Sequence, residues 1–140
     1  MAPAVDRAAA LVVALDRFSD AHNRRDWAAL EELLVDDYVF IDHRPMSLGS
    51  GETRDEYIGL LKGAIELVPD RRTSVLTPVG QAPGYVVHMT ANGTDEFGGG
   101  IDWDFFAVFD MRGDKLCRLE VFSVDDLDAA LKRADELRSS

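Results

Sequence analysis

Asp42 closes a run of large apolar residues, Tyr38-Val39-Phe40-Ile41, and His43-Arg44-Pro45 follows at once. In an extended strand alternate side chains share a face, so Tyr38, Phe40 and Asp42 point together. If Phe40 faces the interior, Asp42 stands at the mouth of that interior. A carboxylate in apolar surroundings has its pKa raised by desolvation, which suits it to general base or acid work near neutrality. The same residues fit equally an Asp42 that pairs with Arg44 or caps the loop after the strand. Alternation sends His43 to the opposite face, where it anchors the loop by hydrogen bonding and does not pair with Asp42.

His88 sits within a β-patterned run, with Val86 and Thr90 on its own face and Val87 and Met89 on the other. Parity leaves open which face is inside, so His88 is either a satisfied structural residue or a proton partner. Asp42 and His88 are thus the candidate catalytic residues. On the next strand Ile101, Trp103, Phe105, Ala107 and Phe109 must share the buried face, leaving Asp102, Asp104 and Asp110 to solvent or to a dimer rim. Cys117, Leu119 and Val121 likewise face in on the last strand. Arg118 and Glu120 are then outside, where Arg118 can answer Asp102 or Asp104. Trp27 and Tyr57 lie on core-facing helix stripes, each either core or a donor to a ligand.

The elements that must position these residues read off the apolar spacing. A helix over about 6–24 carries Leu11, Leu15, Phe18 and His22 at steps of four, three and four. A second begins near Asp26, an N-cap, with Trp27, Leu30 and Leu34 on one face. Tyr38–Ile41 is a strand, followed by a loop containing Gly49 and Gly51. The third helix opens on a capping box, Thr53 with Glu56, carries Tyr57, Leu61, Ile65 and Val68, and closes at Pro69. Gly59 and Gly63 weaken it, which suggests close packing or room left for something else. Strands follow at about 72–79, 85–94, 101–110 and 115–122, with turns at 80–84 and 112–114. A closing helix, capped by Ser123 or Asp125, carries Leu127, Ala130, Leu131 and Ala134. The order α-α-β-α-β-β-β-β-α describes one α+β domain over residues 1–140.

Composition narrows the function classes. The 140 residues carry 15 Lys+Arg against 26 Asp+Glu, a net charge of −11. That acidity argues against nucleic-acid partners and anionic membrane surfaces, which are bound mainly through Lys and Arg. Asp6, Arg7 and Asp16 interrupt the apolar start, so no signal peptide is expected and a cytoplasmic location follows. No run approaches the length of a membrane span. The single Cys117 rules out a disulfide framework, and His22, His43 and His88 lack metal-ligand spacing, so no metal or cofactor is expected. Gly98-Gly99-Gly100 precedes a strand and not a helix, and no Walker, Gly-x-Ser-x-Gly or His-Glu-x-x-His motif occurs.

Two opening helices, a strand ending in Phe40-Ile41-Asp42-His43-Arg44-Pro45, a third helix, antiparallel strands and a closing helix resemble the NTF2-like superfamily. Within it the chain is similar to SnoaL-like polyketide cyclases and ketosteroid isomerases, from Asp26-Trp27-Ala28-Ala29-Leu30 to Asp42 and again at Glu120-Val121-Phe122 and Asp125-Asp126-Leu127. The resemblance implies a curved sheet wrapped around helices into a cone with a blind apolar pocket. Its candidate lining is Phe18, Trp27, Phe40, Tyr57, Trp103 and Phe105. Asp42 then matches the isomerase aspartate that abstracts a proton next to a carbonyl, a general-base Asp of established type. The two oxyanion donors of that isomerase are replaced, by Phe18 and at or near Phe105, and one such donor is worth ~3 kcal/mol. A true ketosteroid isomerase is therefore not expected, and other donors (His88, Tyr57 or Trp103) would be needed. The expectation is a cofactor-independent isomerase, cyclase or dehydratase acting on a small hydrophobic carbonyl compound. A non-catalytic binding or sensory module and a dimerisation scaffold stand beside it, since the fold pairs copies through its sheet.

Overall fold

The computed structural model describes residues 4–45, 49–79 and 86–139. Helix α1 (Ala4–Arg24) turns Leu11, Ala14, Leu15, Phe18 and Ala21 inward, the stripe its spacing predicts. It ends in a Schellman turn, with Asp26 N–H donating to the Ala21 carbonyl (2.9 Å) and Arg25 N–H to that of His22 (3.2 Å). Glycine usually fills the left-handed position of this turn, yet Arg25 holds it at φ 59°. The reason lies in the side chain. Its guanidinium donates to the carbonyls of His22 (2.9 Å), Pro69 (2.9 Å) and Arg71 (2.7 Å), tying the corner to a distant turn. Asp26 then caps α2 (Trp27–Leu33), accepting from Ala29 N–H at 3.1 Å.

The strands β1 (Leu34–Asp42), β2 (Ser50–Gly51), β3 (Arg72–Val79), β4 (Val86–Thr94), β5 (Gly100–Arg112) and β6 (Lys115–Ser123) form one sheet. Its order is β2-β1-β6-β5-β4-β3. All pairings are antiparallel except β1 with β6, which is parallel, so the sheet is mixed. The two-residue β2 falls where the sequence predicts only loop. The turn at 80–84 lies outside the described residues.

Helix α3 (Arg54–Leu67) starts at Thr53, whose hydroxyl accepts from Glu56 N–H at 3.1 Å. The returning half of the predicted capping box differs, because the Glu56 carboxylate accepts from Glu52 N–H (3.1 Å) instead of from Thr53. Its buried residues are Tyr57, Ile58, Leu61 and Ala64, a stripe rotated from the predicted one. Gly59 and Gly63 lie on the exposed side, where an added Cβ would meet nothing within 4 Å. Helix α4 (Leu127–Ser139) starts with Ala130 N–H donating to the Asp126 carbonyl. Asp126, and not Ser123 or Asp125, therefore occupies its cap position.

Two cores divide at the sheet. The larger joins α1, α2 and α3 to the concave face through Tyr38, Phe40, Met89, Phe105, Phe109, Leu119 and Val121. The smaller puts Ala130 and Ala134 of α4 on Val86, Val108 and Phe122 of the convex face. The chain thus has the α+β cone architecture expected of it. Strand parity holds along β5, but Leu116, not Cys117, is in the core on β6. The pairs Met111–Leu116 and Asp110–Arg118 leave Cys117 as the extra residue of a bulge, which reverses the alternation there. Among the described residues, no helix is long and apolar enough to cross a membrane.

Candidate functional site at the cone mouth

The strand parity of β1 is as read from sequence: Tyr38, Phe40 and Asp42 are all buried. The Asp42 carboxylate is fully covered, and Arg44 is part of its cover. The Arg44 guanidinium donates through Nε to Oδ1 (2.9 Å) and through Nη2 to Oδ2 (2.8 Å), and its backbone N–H donates to Oδ1 at 3.1 Å. This planar fork closes the turn after β1 and fixes both side chains. The far face of the guanidinium lies over the Phe105 ring, 5.1 Å from its centroid.

Two hollows meet at this point. The inner one, about 40 Å³, is lined by Phe18, Phe40, Tyr57, Met89, Phe105 and Val121, with the polar groups of His22, Thr73, Arg44 and Arg71. The outer one, about 610 Å³, opens between Ala64, Leu67, Val68, Trp103, Val124 and Asp125. Arg44 and Arg71 line both, so the two guanidinium groups form the neck between them.

Inside the neck the polar groups are held in uncharged or protonated forms. Burial pushes the Tyr57 hydroxyl well above its usual pKa, so it keeps its proton. Its ring packs among Phe18, Tyr38 and Phe40 at 6.3, 5.0 and 4.9 Å. His22 is 2% exposed, and burial, with the positive charges of Arg71 and Arg25, lowers its pKa to about 3. It is a neutral imidazole whose Nε2 has no hydrogen-bond partner. The arrangement can receive a carbonyl compound with donors around one end and aromatic surface around the other.

The predicted residues separate into groups. Phe18, Phe40, Tyr57 and Phe105 line the inner hollow, and Trp103 lines the outer one. Asp42 lies behind Arg44 and lines neither. Trp27 packs on the edge of the main core with Lys62 over its ring at 5.3 Å, away from both hollows. His88 is corrected in place: Val87 and Met89 take the concave face, so His88 points to the convex one. There it meets Asp104 at 3.3 Å and the Phe106 ring at 5.6 Å. Arg118 answers Glu120 at 3.0 Å instead of Asp102 or Asp104, because the two side chains share one face of β6. Sequence reasoning missed His22 and Arg71 as site residues. His22 was visible as the polar member of the α1 stripe, whereas nothing in the local pattern at Arg71 marks a side chain that turns inward.

Solved structures share this architecture. IdmH from Streptomyces antibioticus, proposed to be a polyketide cyclase, is 18% identical with TM-score 0.68, over 87% of this chain and 98% of that one. A candidate SnoaL-like polyketide cyclase from Jannaschia sp. CCS1 is 17% identical with TM-score 0.67, over 94% of each chain. TerC, crystallised with polyporic acid, is 18% identical with TM-score 0.68, over 88% of this chain and 98% of that one. Identities this low establish the common fold alone. No curated protein matches the chain in sequence. The model of the SnoaL-like domain, however, matches residues 15–119, and by that match the chain belongs to the SnoaL-like family of NTF2-like folds.

Proposed function

We propose that the protein is a cofactor-independent enzyme of the isomerase, cyclase or dehydratase type acting on a small hydrophobic carbonyl compound. The observation that carries this reading is the neck, where Arg44, with Asp42 held behind it, lines an aromatic hollow that also contains Tyr57 and His22. The substrate's apolar body occupies the outer hollow, whose volume of about 610 Å³ falls in the range of small-molecule sites. Its carbonyl reaches the neck. Arg44 turns from Asp42 toward the substrate oxygen, and the carboxylate oxygen it uncovers takes a proton from the neighbouring carbon. The transfer leaves an enolate, which Arg44 and Tyr57 stabilise by hydrogen bonding. Membership of a family that includes cyclase-type folds supports the class of reaction. A homodimer through the sheet belongs to the same proposal, using the convex surface that α4 leaves open.

Exchange of α protons is the generic readout of this step. With 1-tetralone in deuterated buffer, followed by NMR, the wild type should accelerate exchange and Asp42→Asn should lose ~100-fold or more. Equal exchange by the two proteins would remove Asp42 as the base. The bidentate hold of Arg44 on Asp42 favours one second reading, a binding module in which Asp42 positions Arg44. In that case the wild type binds the ketone and exchanges none of its protons.

A further inference from the structure

Arg71 is 8% exposed, and the chain around it is built to turn it inward. Its backbone N–H donates to Val68 O (3.0 Å), and its carbonyl accepts from the Arg25 side chain (2.7 Å). Asn23 fixes the next strand residue but one from α1, donating to Thr73 O (2.9 Å) and accepting from Thr73 N–H (2.8 Å). The guanidinium so placed stands 5.2 Å from the centre of the Trp103 ring, at the neck of the two hollows.

What this guanidinium lacks is an anion. Arg44 has Asp42, and Arg118 and Arg133 have Glu120, but no carboxylate among the described residues lies within ion-pair distance of Arg71. Its Nε is buried without a hydrogen-bond partner. Tyr57 beside it keeps its proton, and the charged groups that act on it, Arg44 and Arg25, are themselves positive. A buried, unpaired cation is among the costliest features a fold can keep. A second buried polar atom, His22 Nε2, is also unpartnered, and His22 lines the same 40 Å³ hollow. That volume admits a small polar group, since about 10–15 Å³ of such space is enough to hold one water molecule.

We propose that the cone takes an organic carboxylate. Its anionic end is gripped by Arg71 at the neck, with His22 Nε2 as a further donor in its N–H tautomer. Its apolar body rests in the outer hollow against Trp103, Val68 and Val124. A fork of N–H donors beside an aromatic wall is the chemistry that recognises a planar carboxylate attached to a flat apolar group. The net charge of −11 makes the preference diagnostic, because the protein as a whole repels such a ligand. The inference rests on the preceding reading only in taking the cone as the ligand site. It adds the substrate's charge and the residue that reads it.

The probes are 1-naphthoate and its neutral counterpart 1-naphthamide, titrated calorimetrically into wild type, Arg71→Gln and Arg71→Lys at pH 7.5. The wild type should bind the carboxylate at least about tenfold more tightly than the amide. In Arg71→Gln the ratio should fall to within about twofold, and Arg71→Lys should keep part of the preference. Thermal melts of both variants check that each is folded. Should neither fold, the wild-type melt decides, since naphthoate must then raise it and equimolar naphthamide must not. The proposal is overturned if wild type binds no naphthoate at millimolar concentration, shows no preference for it, or keeps the full preference in Arg71→Gln. Exchange of 1-tetralone, a neutral ketone, is scored separately. Its absence with the anion preference intact sinks the catalytic reading alone, and the reverse result sinks this inference alone.

Discussion

The sheet buries ionisable groups on both of its faces, and apart from the Asp42–Arg44 pair it treats them oppositely. On the convex face the Glu120 carboxylate is 1% exposed and fully engaged: His43 Nε2 at 2.8 Å, Arg133 Nε at 2.8 Å and Arg118 Nη1 at 3.0 Å. His43 in turn stacks on Phe122 at 4.4 Å, so the network welds the end of β1, strand β6 and α4 together. On the concave side His22, at 2% exposed, and Arg71, at 8%, are also buried, and each has an unpartnered atom. A satisfied buried charge is what a scaffold needs. Buried polar groups left open toward a hollow are what a ligand site needs, because the ligand completes them.

The largest test of that contrast is Glu120→Gln. Removing the anion from a buried network costs 3–5 kcal/mol in general, and here the cations are partly solvated, so about 3 kcal/mol is expected in urea unfolding. Arg71→Met should have the opposite sign, neutral or stabilising by up to about 1 kcal/mol, since it deletes an unpaired buried charge. A loss with Arg71→Met as large as that with Glu120→Gln would make Arg71 a structural residue and erase the distinction. Acid sharpens the same point. Burial alone would raise the Glu120 pKa, but His43, Arg133 and Arg118 outweigh it and hold it below its usual value of 4.5. Its stabilisation is therefore complete above about pH 4.5 and is lost as pH falls through its lower folded value.

Acid should find His22 in a different window. The folded imidazole, with a pKa near 3, stays neutral while the unfolded chain's takes up a proton below about 6.5. Protonation thus favours unfolding, and stability falls as pH drops from 6.5 toward 3. Between pH 7 and pH 5 this one group should cost about 2 kcal/mol, and His22→Leu should remove that part of the loss. Parallel urea titrations at the two pH values check it. An unchanged difference in the variant would mean that the imidazole is hydrated in the folded protein.

How much of this contrast was legible before folding follows from the range of each interaction. The elements were readable because period-two and 3.6-residue patterns are local, and so was the shared face of Tyr38, Phe40 and Asp42. Cys117 defeated parity because a bulge inserts a residue that no pattern in one strand announces. The parallel β1–β6 pairing and the β2 fragment join segments far apart in sequence, so neither has a local signature. The candidate site was legible in its aromatic half, since Phe18, Phe40, Tyr57 and Phe105 lie on apolar stripes. Its charged half was not. Only Arg44 offers itself locally, since a single residue separates it from Asp42. Arg71 turns inward because Arg25 and Asn23, 46 and 50 residues before the chain they grip, hold its segment.

The smallest effect separates the two faces most cleanly. His88 carries the residue type expected of a proton shuttle, yet it stands on the convex side with Asp104 at 3.3 Å, both side chains open to water. An exposed pair of this kind contributes 0–1 kcal/mol. His88→Gln should therefore change stability by no more than about 0.5 kcal/mol. It should leave 1-tetralone exchange and the naphthoate-to-naphthamide ratio at their wild-type values. Loss of exchange in a folded His88→Gln protein would require a path for protons through the sheet. The division between a structural outer face and a chemical inner one would then fail at the residue where it is easiest to measure.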